Sequence, residues 1–443
     1  LLPGLKRAIL HVVLLGFLVV STSNFTEEDR FYYLSRNFEK AILDAGVIDC
    51  FEIMFYNKVM DTTITNLHLL TEQTQFELDE PPGTPPACYS PKTRPRDIPE
   101  IFWAKKSGGS RTPILKTLLT SACEKNCLYC PFRAGRDLRR ATLQPIEMAK
   151  IFSQMTAAGL VQGLFLSSGM VGGGIRTQDK ILDTAEILRT KYQYQGYLHL
   201  KLMPGAEKDQ VLRALQLATR VSVNLEAPNP QRLKDLAPRK KFQEELMQLL
   251  QWAQELRQSV QHSTTNDRVP SIVTQLVVGA TAETDTEILQ TSFYLYTRLK
   301  LSRIYYSRFS PIPDTPLENL PPENPLRPLR LYQASFLIRD YGFSTSDFQY
   351  TESGNLPLEQ DPKTIWAQTH LLHQPVELNN ADFLHLLRIP GIGPKTARRI
   401  VQFRRNSKIK SEVELRQLGI PVERVSPFIL LNGRKITNQP SFW

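Results

Sequence analysis

The chain has 443 residues, 54 Lys and Arg against 44 Asp and Glu, a formal charge of +10, and 41% hydrophobic residues. That length leaves room for two or three domains and a sizeable core, in a composition ordinary for a soluble protein. Five cysteines, three of them clustered, exclude a disulfide framework and fit a reduced compartment, and the positive balance favours a polyanionic partner without identifying it.

Residues 1–59 stand apart from the rest of the chain. The apolar run from Ala8 to Val20 lies behind Lys6 and Arg7, the pattern of a signal-peptide core, and is short for a membrane span. Clustered thiols argue against export, so the expectation is a cytoplasmic protein without stable membrane association. Because Leu1 is not Met, Met60 is expected to be the native first residue. Residues 60–110 read as an extended, proline-rich lead-in centred on Pro81-Pro82-Gly83-Thr84-Pro85-Pro86, with Ser107-Gly108-Gly109-Ser110 as a flexible entry to the first strand.

An apolar run, Ile114 to Leu119, leads into Cys123-Glu124-Lys125-Asn126-Cys127-Leu128-Tyr129-Cys130. A strand ending in a loop with three close thiols can hold a soft metal centre at its carboxyl end. Three ligands are one short of the four that a closed zinc or iron–sulfur site takes, and no cysteine follows Cys130. The residues alone also allow an incomplete zinc knuckle or free thiols.

Strand-like runs at 114–119, 162–167, 197–203, 220–226, 272–279 and 302–309 alternate with helical runs at 145–158, 178–191, 206–218, 242–259 and 284–299. Such alternation predicts right-handed crossovers and a parallel sheet, spanning residues 111–310. In the third run His199 and Lys201 share one face against three leucines; in the fourth, Ser222, Asn224 and Glu226 alternate with Val221, Val223 and Leu225. Parallel strands buried on both faces are usually apolar throughout, so this polar face predicts a polar lumen, with His199 and Lys201 as catalytic candidates or as satisfied structural residues.

The cysteine loop, with Tyr129 before the third thiol, resembles the cluster loop of the radical S-adenosylmethionine superfamily. The resemblance implies a partial (β/α)6 TIM-like barrel, a 4Fe-4S cluster on Cys123, Cys127 and Cys130, and an open iron that chelates S-adenosylmethionine. It also implies an electron donor such as flavodoxin or ferredoxin. Ser167-Ser168-Gly169-Met170 is similar in position to the superfamily's Gly-Gly-Glu-like turn, although the Glu is missing. Asn224-Leu225-Glu226 is similar to the strand end that contacts the cosubstrate in biotin and lipoyl synthases, Gly279-Ala280-Thr281-Ala282-Glu283-Thr284 resembles the Gly-x-Pro-Gly-Glu-Thr turn, and Ser310 to Pro316 resembles the Pro-x-Pro-Gly-Thr-Pro exit. By that resemblance Tyr129, Ser168, Gly169, Asn224, Glu226 and Glu283 bind the cosubstrate. Each stretch also reads plainly as a turn or helix cap.

Residues 311–374 read as a helical connector with helices at 329–341 and after Asp361-Pro362, and without a catalytic signal. Residues 375–434 carry a second motif: a helix over 380–388, Ile389-Pro390-Gly391-Ile392-Gly393-Pro394-Lys395, and a helix over 396–405, with 435–443 as a tail. This resembles the helix-hairpin-helix module of DNA repair and uptake proteins and implies a small all-α domain. Its two glycines let the turn present amides beside a helix N-terminus, a phosphate nest to which Lys395 adds charge. No Asp or Glu lies between Phe383 and Ser411, whereas eight Lys or Arg do. Gly391, Ile392, Gly393, Lys395, Thr396, Arg398 and Arg399 are the expected nucleic-acid contacts. A solvated αα-hairpin or a protein-docking copy is the alternative. Ser411 to Pro421 reads as a degenerate second copy.

From about Asn66 to Arg434 the chain resembles bacterial radical S-adenosylmethionine proteins with a C-terminal helix-hairpin-helix domain, named for DNA modification or repair. The implied function is hydrogen abstraction from a DNA substrate by a 5′-deoxyadenosyl radical. The alternatives are modification of RNA such as tRNA by the same chemistry, or a non-catalytic iron–sulfur module that binds nucleic acid or a partner. Against tRNA methylthiolation stands the absence of a second cysteine trio.

Overall fold

The computed structural model describes residues 50–74, 101–105, 111–263 and 269–436. The apolar run at 8–20, the prolines at 81–86, the Ser107–Ser110 stretch and the end of the chain lie outside the described residues. Two compact units divide between Asn66 and Leu67. Helix α1 (Cys50–Gln73) runs through Met60, so residues 60–73 are helical rather than extended. Leu67 and Leu70, at its end, are buried in the core of the larger unit, and Thr74 Oγ1 donates to the Lys116 carbonyl at 3.2 Å.

The sheet of the larger unit opens with β1 (Ile101–Lys105), also read as extended lead-in, which pairs antiparallel with β2 (Arg111–Leu118). The chain then alternates through α2 (Pro145–Ala157), β3 (Gly163–Ser167), α3 (Gly173–Thr190), β4 (Tyr197–Lys201), α4 (Lys208–Leu217) and β5 (Arg220–Glu226). Next come α5 (Pro230–Leu236), a π-helical turn at Phe242–Met247 running into α6 (Gln248–Ser263), β6 (Ser271–Val278), α7 (Asp285–Thr297) and β7 (Arg303–Arg308). Strand order is sequential, and β2 to β7 are all parallel, giving the half-barrel expected from the six strand–helix units with one antiparallel strand added at its edge.

Local chemistry sets the helix starts. Pro145 occupies the first turn of α2, where its missing N–H costs nothing, and Gln144 and Glu147 form a capping box. Thr284 and Glu287 do the same for α7. The outward apolar faces of the strands meet these helices in one continuous core.

Pairing register decides what faces inward. Lys116, Phe165, His199 and Arg220 stand side by side on β2 to β5, Lys201 is level with Ser222, and Asn224 with Gln275 and Tyr305. The polar lumen read from β4 and β5 is thus continued by β6 and β7. At the end of β5 the register slips between Asn224 and Glu226, a bulge in which Glu226 takes φ 66°.

Helix α8 (Leu326–Tyr341) and α9 (Pro362–His370) connect to the C-terminal region, and Asp361 caps α9 with Pro362 at the first position. A second core then gathers β8 (Val376–Glu377), α10 (Phe383–Arg388), α11 (Pro394–Phe403), α12 (Glu412–Gln417), α13 (Val422–Val425), β9 (Ile429–Leu431) and β10 (Arg434–Lys435). The expected all-α domain therefore also carries a three-stranded sheet, ordered β10-β9-β8. Strands of two or three residues are too short for a period-two pattern to register.

No helix among the described residues is long and apolar enough to cross a membrane.

Candidate metal centre, lumen and nucleic-acid interface

The cysteine loop leaves β2 at the carboxyl end of the sheet and is held by its backbone. The Arg140 guanidinium donates to the carbonyls of Ser121, Phe132, Arg133 and Arg136, and Leu128 N–H donates to the Leu236 carbonyl at 2.8 Å. Glu124 reaches across the loop: its carboxylate accepts the Gly172 and Gly173 amides at 3.0 and 3.1 Å, at the start of α3. Cys127 is buried, and Cys123 and Cys130 are half-buried. Burial pushes the Cys127 and Cys130 thiols up, so metal binding must displace their protons.

Among the described residues no three His, Cys, Asp or Glu side chains converge on a position for one metal ion. Three cysteines in one loop suit a group with several irons, each thiolate on its own iron. The surroundings fit such a group. Gly169 packs so closely under the loop that a Cβ there would collide with the Ala122 carbonyl oxygen, and the buried Ser168 Oγ and Asn126 Oδ1 have no partner.

Tyr129 and Glu226, 97 residues apart, meet here: Tyr129 Oη donates to Glu226 Oε2 at 2.5 Å. The β5 bulge aims that carboxylate, and Lys240 Nζ donates to its other oxygen at 2.9 Å. Nearby, Arg239 donates to the Glu124 carbonyl and Lys125 pairs with Glu245 at 3.3 Å. The segment from Leu236 to Glu245 therefore clamps the cysteine loop. Sequence reasoning missed it, because Arg239-Lys240-Lys241 reads as a solvated charge run. The π-helical turn that begins at Phe242 is the kind of irregularity that clusters at functional sites, yet it carries no sequence pattern.

In the lumen lies a small pocket lined by Phe165, His199, Lys201, Ser222, Asn224, Gln275 and Tyr305. Asn224 Nδ2 donates to Gln275 Oε1, and Gln275 Nε2 to Ser307 Oγ. His199 Nε2 is buried without a partner, and the ring meets Phe165 edge-on at 4.5 Å. Burial, followed by Arg220, Lys201 and Lys116, holds His199 well below the usual imidazole range, so it is neutral at physiological pH.

Glu283 behaves differently from the other expected cosubstrate residues. It is 2% exposed, and its carboxylate accepts the Gly279 and Thr281 amides and the Thr281 hydroxyl, with Arg327 at 3.6 Å. It stabilises its own turn rather than facing the cavity.

In the C-terminal core Gly391 has φ 88°, and a Cβ there would lie 2.9 Å from Pro421 of the second hairpin. Gly393 is extended and caps α11, so its backbone does not demand glycine. Lys395, Arg398 and Arg399 are exposed and Thr396 is half-buried, whereas the Ile392 side chain is buried in the domain core. Two of the basic residues point inward. Arg404 donates to the Leu378 and Ala381 carbonyls, and Arg388 lies over the rings of Phe343 and Trp366 and pairs with Asp347 at 3.0 Å.

The half-barrel thus carries three thiols in the loop after its first parallel strand and a polar lumen beneath. Residues 117–291 match the Radical SAM superfamily and residues 373–419 the helix-hairpin-helix motif, so the chain carries a radical SAM domain followed by that motif. Similar solved structures include the FeFe-hydrogenase maturase HydG from Carboxydothermus hydrogenoformans, at 15% identity over 51% of this chain and 51% of that one, with a TM-score of 0.39. Methylornithine synthase (PylB) is similar at 11% identity over 51% and 62%, with a TM-score of 0.40. A radical SAM methyltransferase from Sphaerobacter thermophilus is similar at 12% over 54% and 70%, with a TM-score of 0.39. The chain spans about half the length of the first of these. No curated protein matches.

Proposed function

We propose that the enzyme holds a 4Fe-4S cluster through Cys123, Cys127 and Cys130, binds S-adenosylmethionine beside it, and acts on DNA. When bound, the cluster and cosubstrate supply the 5′-deoxyadenosyl radical that removes a hydrogen atom, and the protein supplies position and exclusion of water. Lys240 offsets the charge of the thiolates and holds Glu226, Tyr129 fixes the other oxygen of that carboxylate, and Ser168 and Gly169 line the approach. Asn224, with His199 and Lys201, faces the substrate in the lumen.

The observation that carries the nucleic-acid part is the Gly391–Lys395 turn, whose amides stand at the head of α11 among exposed Lys395, Arg398 and Arg399. Such a turn grips phosphates and reads no bases, so binding is sequence-tolerant and weakens steeply with salt. The test is anaerobic reconstitution with a panel of DNA and RNA substrates, scored for 5′-deoxyadenosine and for a mass change in the nucleic acid. Turnover with RNA alone would replace DNA as the target; cosubstrate cleavage without any mass change in either would overturn the reading.

A further inference from the structure

The hairpin turn is held from beneath by a side chain that lies outside the matched motif. Lys363, on α9, is 8% exposed, and its Nζ donates to the Ile392 carbonyl at 2.6 Å. The same ammonium lies 4.7 Å from the centre of the Tyr341 ring on α8. Ile392 N–H donates to the Ile389 carbonyl at 3.1 Å, so the peptide units on both sides of the Ile392 side chain are fixed. The charged and titratable groups around Lys363 are Asp361 at the start of α9, Arg388 from α10, Arg424 from α13 and Tyr341. Asp361 also pairs with Arg424 at 3.3 Å.

We propose that Lys363 is the positioning residue of the phosphate grip: its ammonium fixes the Ile392 carbonyl inward, turns the succeeding amides outward, and adds its charge to the attraction for a bound backbone phosphate. The proposal rests on the nucleic-acid reading of the hairpin. It gives the grip a proton-linked signature. Burial, then Arg424, lower the Lys363 ammonium to about 7, with Asp361 acting in the opposite sense and Arg388 lowering it further. A phosphate in the turn favours the charged amine, so it raises that value in the complex. Affinity is then level while both states are protonated. It falls as pH rises through about 7, by up to about tenfold between about pH 6 and about pH 8 for one linked proton.

The experiment is fluorescence anisotropy of the reconstituted full chain with a short labelled DNA duplex, at constant ionic strength across that pH range. Parent protein is compared with Lys363→Arg and Lys363→Met. The parent should lose affinity with rising pH. Lys363→Arg should bind with a flat profile, and Lys363→Met should bind more weakly at low pH, also with a flat profile. His370 at the end of α9 itself and His385 on α10 are present in every variant, so the difference between profiles is the readout. Hydrogen exchange checks the fold: Lys363→Met should speed exchange of the amides of residues 391–393 and 395–397 and leave those of the barrel unchanged. If Lys363→Met does not fold, the slope of the parent against Lys363→Arg decides. Equal slopes for parent and Lys363→Arg, with binding intact, would overturn the role of Lys363 and leave the nucleic-acid reading standing. No binding by the parent at any pH in low salt would overturn both.

Discussion

Glu226 joins the two halves of the site. A non-glycine residue in the left-handed region costs on the order of 1–3 kcal/mol and persists only when its surroundings hold it. Here the Tyr129 hydroxyl and the Lys240 ammonium hold the carboxylate, which is 3% exposed. Lys240→Met should therefore destabilise the barrel by about 3–5 kcal/mol, because it leaves a buried carboxylate without its cation. Adding Glu226→Gln should restore much of that loss, since the orphaned charge goes with it. Urea unfolding of the single and double variants measures this, and equal midpoints for parent and Lys240→Met would show that the pair is solvated. Asn224→Ala should keep the iron content but weaken S-adenosylmethionine or substrate binding by about 1–3 kcal/mol, the cost of leaving a buried partner unpaired. Calorimetric titration with unchanged affinity for both would place Asn224 outside the site. The cysteines, Tyr129, Asn224 and Glu226 are visible as candidates in the sequence because each sits in a short local string at a strand end. Lys240 is not, because the contact that matters lies across the loop and leaves no local spacing. Glu283 misleads for the same reason, since a Glu in a Gly-Thr turn looks alike whether it faces a ligand or its own backbone.

At the scale of elements, the parallel strands are readable from their apolar and alternating runs, and their helices from caps and period. What escaped were elements without such a signal: β1, a five-residue edge strand, and the very short strands β8 to β10. The glycine turn shows how structure sharpens a motif. The sequence makes its two glycines look equivalent, but only Gly391 has a positive φ and the neighbouring Pro421. Gly391→Val should cost several-fold or more in nucleic-acid affinity, because strain of on the order of 1–3 kcal/mol falls on the gripping turn itself. Gly393→Ala, with a Cβ site 3.3 Å from the Tyr341 hydroxyl, should be much milder. Anisotropy with one duplex ranks the two, and equal losses would mean that the turn is gripped differently. Iron content should be that of the parent in both, since the hairpin and barrel have separate cores.

Over the whole molecule the two cores are bolted together. Tyr341 and Trp366 pack against both, and Arg388 from the first hairpin helix is sandwiched over Phe343 and Trp366, donates to the Gly342 carbonyl at 3.1 Å and pairs with Asp347. If the turn grips a phosphate as proposed, its fixed attachment to the barrel would make it a ruler. A nucleotide reaching the lumen would then stand a set number of backbone steps from the one in the turn, whatever the intervening sequence. Altered positions mapped against the protein's footprint on a long duplex should then cluster at a single offset, and Arg388→Ala should blur that offset before it weakens binding. A broad spread of offsets in the parent would show that the grip swings freely. The address of the reaction would in that case be written in the nucleic acid, whereas a rigid joint writes it in the protein.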